Sequence, residues 1–395
     1  MYEQSKLMAS QAVIKVMGIG GGGCNAVNSM IESNISSAEF IAVNTDNQAL
    51  LMSKAQTVLQ IGDKLTKGLG AGSNPDVGEQ AAEESKEQIA DLLKGTDLLF
   101  IAAGMGGGTG TGAAAVVARI ARELGILTVA VVTKPFSFEG KIRNENANKG
   151  VANLKKYVDT LVIIPNDKLL YFLPPQTGML DAFKVADNML KQGIIGIVDL
   201  IATPSLINLD FADVNTVMRN QGLAHMGIGT AKSENRVIEA VRQAVSSPLL
   251  ETTIEGAKSV ILNVTGGCDL MLTEVNEAAV LVQGIIDSSA NIIFGATIDE
   301  NISDEIKITI IATGFTAESE GEEKISSITE ATRNSIEKKI DDFATPVPNA
   351  DEKEDIEPEK IVDPEVKKME EALMSEPEEK KTKELPPFMK RLFKK

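Results

Sequence analysis

Two stretches of this chain are dense in glycine, and each is of a kind that can hold an anion. GIGGGGCN spans Gly18–Asn25 and GMGGGTGTG spans Gly104–Gly112; an apolar run precedes each and a helical pattern follows. Successive backbone N–H groups in such a segment converge on one anion, and the helix N-terminus adds positive potential. The first satisfies G-x-G-x-x-G with Gly18, Gly20 and Gly23, and Glu39 stands at the spacing of the ribose-binding carboxylate of a dinucleotide site. Neither is a P-loop, because no lysine follows either glycine run. Taken singly, each is equally well a tight turn with close helix–strand packing. Taken together, two that a parallel sheet can bring to one carboxyl edge favour a polyphosphate, where a dinucleotide fold needs one.

Other reactive side chains are few. The sole histidine, His225, lies far along the chain and reads as a packing residue. Cys24 reads as a small loop residue and not as a nucleophile. Two cysteines, Cys24 and Cys268, make no disulfide scaffold and suit a reducing cytosol.

The rest of the composition bounds what must position these residues. A length of 395 residues predicts two folded domains plus a tail, and 43% hydrophobic residues suffice for a sizeable core. No apolar run reaches the roughly 20 residues of a membrane span. The start, MYEQSKLMAS, lacks a signal-peptide layout. A formal charge of −17 argues against general nucleic-acid binding. The charge concentrates in residues 317–384, where 22 Asp/Glu face 11 Lys/Arg and Phe343 is the lone aromatic, predicting an acidic disordered linker.

Strands and helices alternate over residues 12–316. AVIKVMGI, EFIAVNT, DLLFIAAG, LTVAVVT and TLVIIP read as near-continuous apolar strands of an α/β fold, a parallel sheet covered on both faces. A long helical pattern runs from about Asp181 to Thr203 and Pro204 stops it. SVILNVTG, NIIFGATID and KITIIATGF then predict a smaller α+β domain. The expected boundaries are 1–11 disordered, 12–180 nucleotide-binding, 181–222 central helix and following loop, 223–316 α+β, 317–384 linker and 385–395 terminal peptide.

In order along the chain, GGGGCNAVN, FIAVNTD, TKGLGAGSNPDVG, GMGGGTGTGAA, TKPFSFEG, IPNDKLL, NLDFADV and SSPLLE resemble the tubulin/FtsZ family, and within it the bacterial cell-division GTPases. The resemblance covers residues 10–316 and the terminal peptide. It implies a parallel-sheet GTPase domain joined by a long central helix to the smaller α+β domain. It also implies GTP hydrolysis to GDP and phosphate, head-to-tail homopolymers, and a cytoplasmic division ring at mid-cell that recruits other division proteins. By the same resemblance Gly21, Gly22, Gly23, Cys24 and Asn25 border the nucleotide, and Gly108, Thr109 and Gly110 lie on its phosphates. Gly72 belongs to the loop Gly70–Gly78 that senses the terminal phosphate. Glu139 and Arg143 meet the ribose and neighbouring base; Asn166, Phe183 and Asp187 meet the guanine. A carboxylate accepts both the N1–H and the exocyclic amine of guanine, which adenine does not offer, and a phenyl ring gives a stacking face. Without the glycine runs, Phe183 and Asp187 read as one core and one solvated residue of a helix. A thiol at Cys24 would make nucleotide binding sensitive to alkylation.

In NLDFADV, the resemblance gives Asn208, Asp210 and Asp213 the orienting or activation of the attacking water. Read alone, two acids three apart before a helix are N-caps, with Asp213 the candidate. From Asp187 the helix carries the chain about 25 Å away at 1.5 Å per residue. These acids then serve the γ-phosphate of the next subunit, and a head-to-tail contact of this kind propagates as a filament. Mg²⁺ is expected on the phosphates, with no protein metal ligand, because the phosphate segments carry no lysine. LPPFMKRLFKK, Leu385–Lys395, presents an apolar helical stripe among basic residues. It resembles the family's terminal peptide, which docks on membrane-anchoring and regulatory division proteins. The rival readings are a dinucleotide-dependent oxidoreductase and a tubulin-like filament GTPase not used in division.

Overall fold

The apolar runs become strands in the computed structural model, which describes residues 12–315 apart from 34, 36, 171–172, 175, 203–206, 208–209, 233–234, 247–253, 255, 287–288 and 300–301. They are β1 (Ile14–Ile19), β2 (Glu39–Asn44), β3 (Thr57–Gln60), β4 (Leu98–Gly104), β5 (Leu127–Lys134) and β6 (Thr160–Pro165). β7 (Gly222–Ala231), β8 (Ser259–Gly266), β9 (Asn291–Ile298) and β10 (Ile306–Thr313) follow. Their order is β3-β2-β1-β4-β5-β6-β7-β10-β8-β9. Pairing is parallel from β3 to the start of β7, antiparallel on both sides of β10, and parallel between β8 and β9.

Alternation along the strands splits the first six into two buried faces, as side chains two apart share a face. Val16, Phe40 and Phe100 point into one core; Met17, Ile41 and Ile101 point into the other. Helices Gly20–Glu32 and Met179–Ala202 cover the first face, and Pro75–Glu84, Lys86–Leu93, Thr109–Glu123 and Lys141–Leu154 cover the second. Both faces being dry explains why the strands read as continuous apolar runs.

The long helix starts at Met179, two residues before the expected Asp181, and runs through Ala202. Its apolar side is shared: Leu190, Ile194 and Val198 lie in one core with Val131 of β5 and with Met226, Ile261 and Ile311 of the later strands. That sharing makes the helix the spine between the parallel sheet and the smaller mixed sheet. The two sheets are continuous, because Gly222–Ala224 of β7 pair in parallel with Thr160–Val162 while His225–Ala231 pair antiparallel with β10. Helices Arg236–Val245 and Leu272–Gln283 bury a separate core against the outer face of β8 and β10. His225 is buried with its ring 4.6 Å from that of Phe315, a packing role.

One local reading changes. The first glycine run forms no loop, because the helix Gly20–Glu32 begins within it. Gly20 turns the chain at φ +73°, and a Cβ there would stand 2.8 Å from the backbone N of Gly110. A Cβ at Gly23 would sit 2.2 Å from the carbonyl oxygen of Ala102 in β4. The residues expected at 1–11, 317–384 and 385–395 lie outside the described residues, as does Pro204.

Candidate functional site

The strand order places a topological switch between β1 and β4: from β1 the chain proceeds outward to β2 and β3, then returns to β4 on the other side. Ligands of open α/β sheets sit outside the carboxyl ends at such a point. Ile19 is level with Val43 of β2 and Ala103 of β4, Gly104 with Thr133, and Lys134 with Pro165. Five segments therefore leave the sheet side by side, carrying Thr45, Gly20–Asn25, Met105–Gly110, Pro135–Arg143 and Asn166.

The two glycine segments touch through Gly20 and Gly110 and through Gly22 and Gly104, where an added Cβ would find a neighbour at 2.8 and 3.4 Å. Gly21, Gly72 and Gly107 instead face open space. The 70–78 loop is drawn in by the Gly70 N–H, which donates to the Thr45 carbonyl at 3.2 Å, and by Ala71, which would meet a Cβ on Gly108 at 2.7 Å. A backbone cradle with open faces on three segments is shaped for a polyphosphate rather than for side chains.

At the other end of this edge stand polar groups that the protein does not itself satisfy. Asn166 is buried and its side-chain oxygen has no partner. Asp187 is half-buried, hydrogen-bonds no described residue, and its carboxyl is pushed up to about 6 by burial. Buried polar groups are normally paired, so the two mark a place that receives donors from elsewhere. The Phe183 ring, one turn before Asp187, meets Phe136 edge-on at 5.4 Å, which fixes the start of the long helix at this edge. Glu139 accepts from the Phe136 N–H at 2.9 Å and pairs with Arg143 at 2.9 Å, and the Arg143 stem packs on Gly106.

Asp210 and Asp213 are not part of this assembly. Asp210 precedes helix Phe211–Met218, whose final carbonyl accepts from the Thr160 hydroxyl at the opposite, amino edge of the sheet. The cap is Asp210, which accepts from the Asp213 N–H at 2.8 Å; this corrects the expectation that Asp213 is the cap. The first acid has its carboxylate committed to the helix start, and the second stands within the first turn. Asn208 lies outside the described residues.

Two expectations are overturned. Cys24 is buried within the first helix, its thiol pushed up to about 12 chiefly by burial, so the thiolate that alkylation needs is suppressed. Glu39 opens β2 at the amino edge and pairs with Lys15 at 3.3 Å, so it cannot reach a ligand held by the glycines. A dinucleotide site needs that carboxylate at the other end of the strand. Reading by spacing alone missed Thr45, buried with its hydroxyl 2.6 Å from that of Thr109, and the pair Ser137–Asp167. The signal for Thr45 was its place one residue beyond β2.

Residues 13–174 match the model of the Tubulin/FtsZ family, GTPase domain, and residues 222–316 that of the FtsZ family, C-terminal domain. Among solved structures, an empty FtsZ dimer from M. jannaschii is 47% identical, with a TM-score of 0.76 over 79% of this chain and 91% of that one. An FtsZ point mutant from M. jannaschii is 46% identical, with a TM-score of 0.76 over 80% and 95%. CetZ2 from Haloferax volcanii, a GTPγS-bound protofilament, shares the fold at 19% identity and a TM-score of 0.68 over 84% and 99%.

Proposed function

Because the chain belongs to the tubulin/FtsZ family of GTPases, we propose that it binds GTP along the carboxyl edge of its parallel sheet, hydrolyses it between subunits, and polymerises head to tail. The observation that carries this reading is the separation of two half-sites. The cradle of Gly21, Gly72, Gly107, Gly108 and Thr109 and the unpaired Asn166 and Asp187 share one edge, while Asp210 and Asp213 belong to a helix that ends at the other. The long helix alone spans about 36 Å at 1.5 Å per residue over its 24 residues.

In this reading the backbone N–H groups of the glycine segments take the phosphates, and the Thr109 helix adds its positive end. The ionised Asp187 accepts from guanine N1–H and the exocyclic amine, Asn166 offers its free oxygen, and Phe183 lies against the base. Glu139 and Arg143 take the ribose side. A neighbouring subunit brings Asp213, with Asp210 and Asn208, to orient or deprotonate the water that attacks the γ-phosphate. Mg²⁺ would be held mainly by phosphate oxygens and water, and it would supply neutralising charge.

Exposed apolar side chains on several segments support the contact between copies. Phe138, Ile142 and Leu180 rim the nucleotide edge, while Ile207, beside the acids, and Leu272 lie on other segments. A surface meeting a different surface of the next copy gives an open, non-closing chain. The M. jannaschii FtsZ structure, a dimer, supports association of copies. The further proposal is the division ring: cytoplasmic filaments at mid-cell, tethered to membrane-anchoring and regulatory proteins through Leu385–Lys395. Among the described residues no helix is long and apolar enough to cross a membrane. Sedimentation with GTP against GDP, alongside phosphate release, tests the core of it. Polymer with GTP and steady phosphate release is the expected result, and hydrolysis without any GTP-dependent polymer would overturn it.

A further inference from the structure

Ser137 and Asp167 come from segments 30 residues apart and meet beside the nucleoside end of the site. The Ser137 N–H donates to Asp167 Oδ1 at 2.8 Å, and the Ser137 hydroxyl donates to Asp167 Oδ2. Ser137 opens the single helical turn Ser137–Glu139, and Asp167 directly follows Asn166 at the end of β6. One carboxylate therefore ties the turn that carries Glu139 to the strand end that carries Asn166. The turn needs such a tie. Phe138 within it is 58% exposed, and Gly140 after it takes φ +104°, a conformation open to glycine and to few other residues.

We infer that Asp167 is a positioning residue for the guanosine moiety, holding Glu139 and Asn166 at a fixed separation before nucleotide arrives. The inference rests on the nucleotide reading above. Groups that must meet one rigid ligand together bind it more tightly when their relative placement is already set, because the ordering cost is then not charged to binding. Asp167 itself needs no contact with nucleotide. Its two oxygens are both occupied by Ser137.

The test is calorimetric binding of GDP to the full-length, nucleotide-free chain. Asp167→Ala should bind GDP about tenfold more weakly, the worth of roughly one charge-assisted hydrogen bond. The KM for GTP should rise by a similar factor while kcat at saturating GTP stays within about twofold. Asp167→Asn should recover near-parental affinity, since its amide oxygen still accepts the Ser137 N–H and its NH₂ can donate to the hydroxyl oxygen. Should Asp167→Ala fail to fold, Ser137→Ala removes only the hydroxyl bond and should weaken GDP about threefold, with the melting point of the nucleotide-free protein unmoved. Parental binding with unaltered affinity in the folded Ala variants overturns the inference alone, as does an Asn variant no better than Ala. A parental chain that binds no GDP overturns the site reading and the inference with it.

Discussion

The hydroxyl oxygens of Thr45 and Thr109 lie 2.6 Å apart between two buried side chains, joining the segment that leaves β2 to the first residue of the helix after the second glycine run. The Thr45 carbonyl also accepts from the Gly70 N–H at 3.2 Å and the Thr66 hydroxyl at 3.3 Å. One threonine thus braces three of the segments that frame the glycine cradle. Thr45→Val keeps the shape but leaves the Thr109 hydroxyl without its partner. It should cost about 1–3 kcal/mol of stability and weaken GTP binding. Urea unfolding and calorimetry check both, and a variant unchanged in both would show the brace to be idle.

Asp187 gives the site a pH response. Burial lifts its carboxyl from 3.8 to about 6, so in the free protein the acid holds its proton to a higher pH than an exposed one and is neutral below about pH 6. On this group alone, the free fold loses stability as pH rises through about 4 to 6 and the buried acid ionises. Guanine needs the ionised form as a double acceptor, so GTP affinity should fall as pH drops through about 6, and binding there should release protons. Asp187→Ala should lose this dependence, bind GTP more weakly, and discriminate less against ATP. Calorimetry between about pH 5 and about pH 7.5 decides, and an equal pH slope in the variant would sink the assignment.

The shared site predicts complementation. Asp213→Ala should keep nucleotide affinity while turnover falls by roughly 10²–10⁴, the range for a lost proton-transfer or water-positioning group. A Thr109 variant that binds GTP poorly should be inactive for the opposite reason. Mixed, the two form one kind of interface with both halves intact, so phosphate release should exceed the sum of the parts and rise steeply with concentration. Copolymers seen by microscopy without that excess would leave Asp213 an ordinary residue of a helix start.

The two cysteines should differ sharply. Cys268 is exposed and Cys24 is buried with its thiol near 12, so a disulfide reagent at neutral pH should label Cys268 alone until the chain unfolds. Peptide mapping reads the outcome. Rapid Cys24 labelling in the native chain, with or without GDP, would contradict the burial.

Two glycines of the second run should answer to different assays. A Cβ at Gly112 would stand 2.0 Å from the Pro75 carbonyl oxygen, so Gly112→Ala should destabilise by at least about 1–3 kcal/mol. A Cβ at Gly107 meets nothing, so Gly107→Ala should fold normally yet intrude on the cradle and weaken GTP. Equal effects on melting and on binding in both variants would remove the distinction.

What could be read before folding was largely what depends on local pattern. Continuous apolar strands announced a sheet covered on both faces, the 3.6-residue period announced the spine helix to within two residues at its start, and the two glycine runs stand at the ends of the strands that precede them. The family motifs nominated Asp187 and Asp213 together, and the fixed rise of the helix between them already predicted a separation of about 25 Å. Which glycines pack and which face open space depends on what other segment arrives: Gly23 is filled by Ala102 and Gly112 by Pro75, partners 79 and 37 positions away in the chain. The same holds for charges and thiols. Glu39 has the right spacing but leaves from the wrong edge, and Cys24 looks exposed in a loop until its helix buries it. Spacing along a chain constrains local geometry because bond lengths and helical rise are fixed. Contact between distant segments is decided only when the folded chain brings them together: competition for buried volume drew Thr45 to Thr109 and left Asn166 without a partner, and the meeting of two sheet-edge segments set the exposed bond of Ser137 to Asp167.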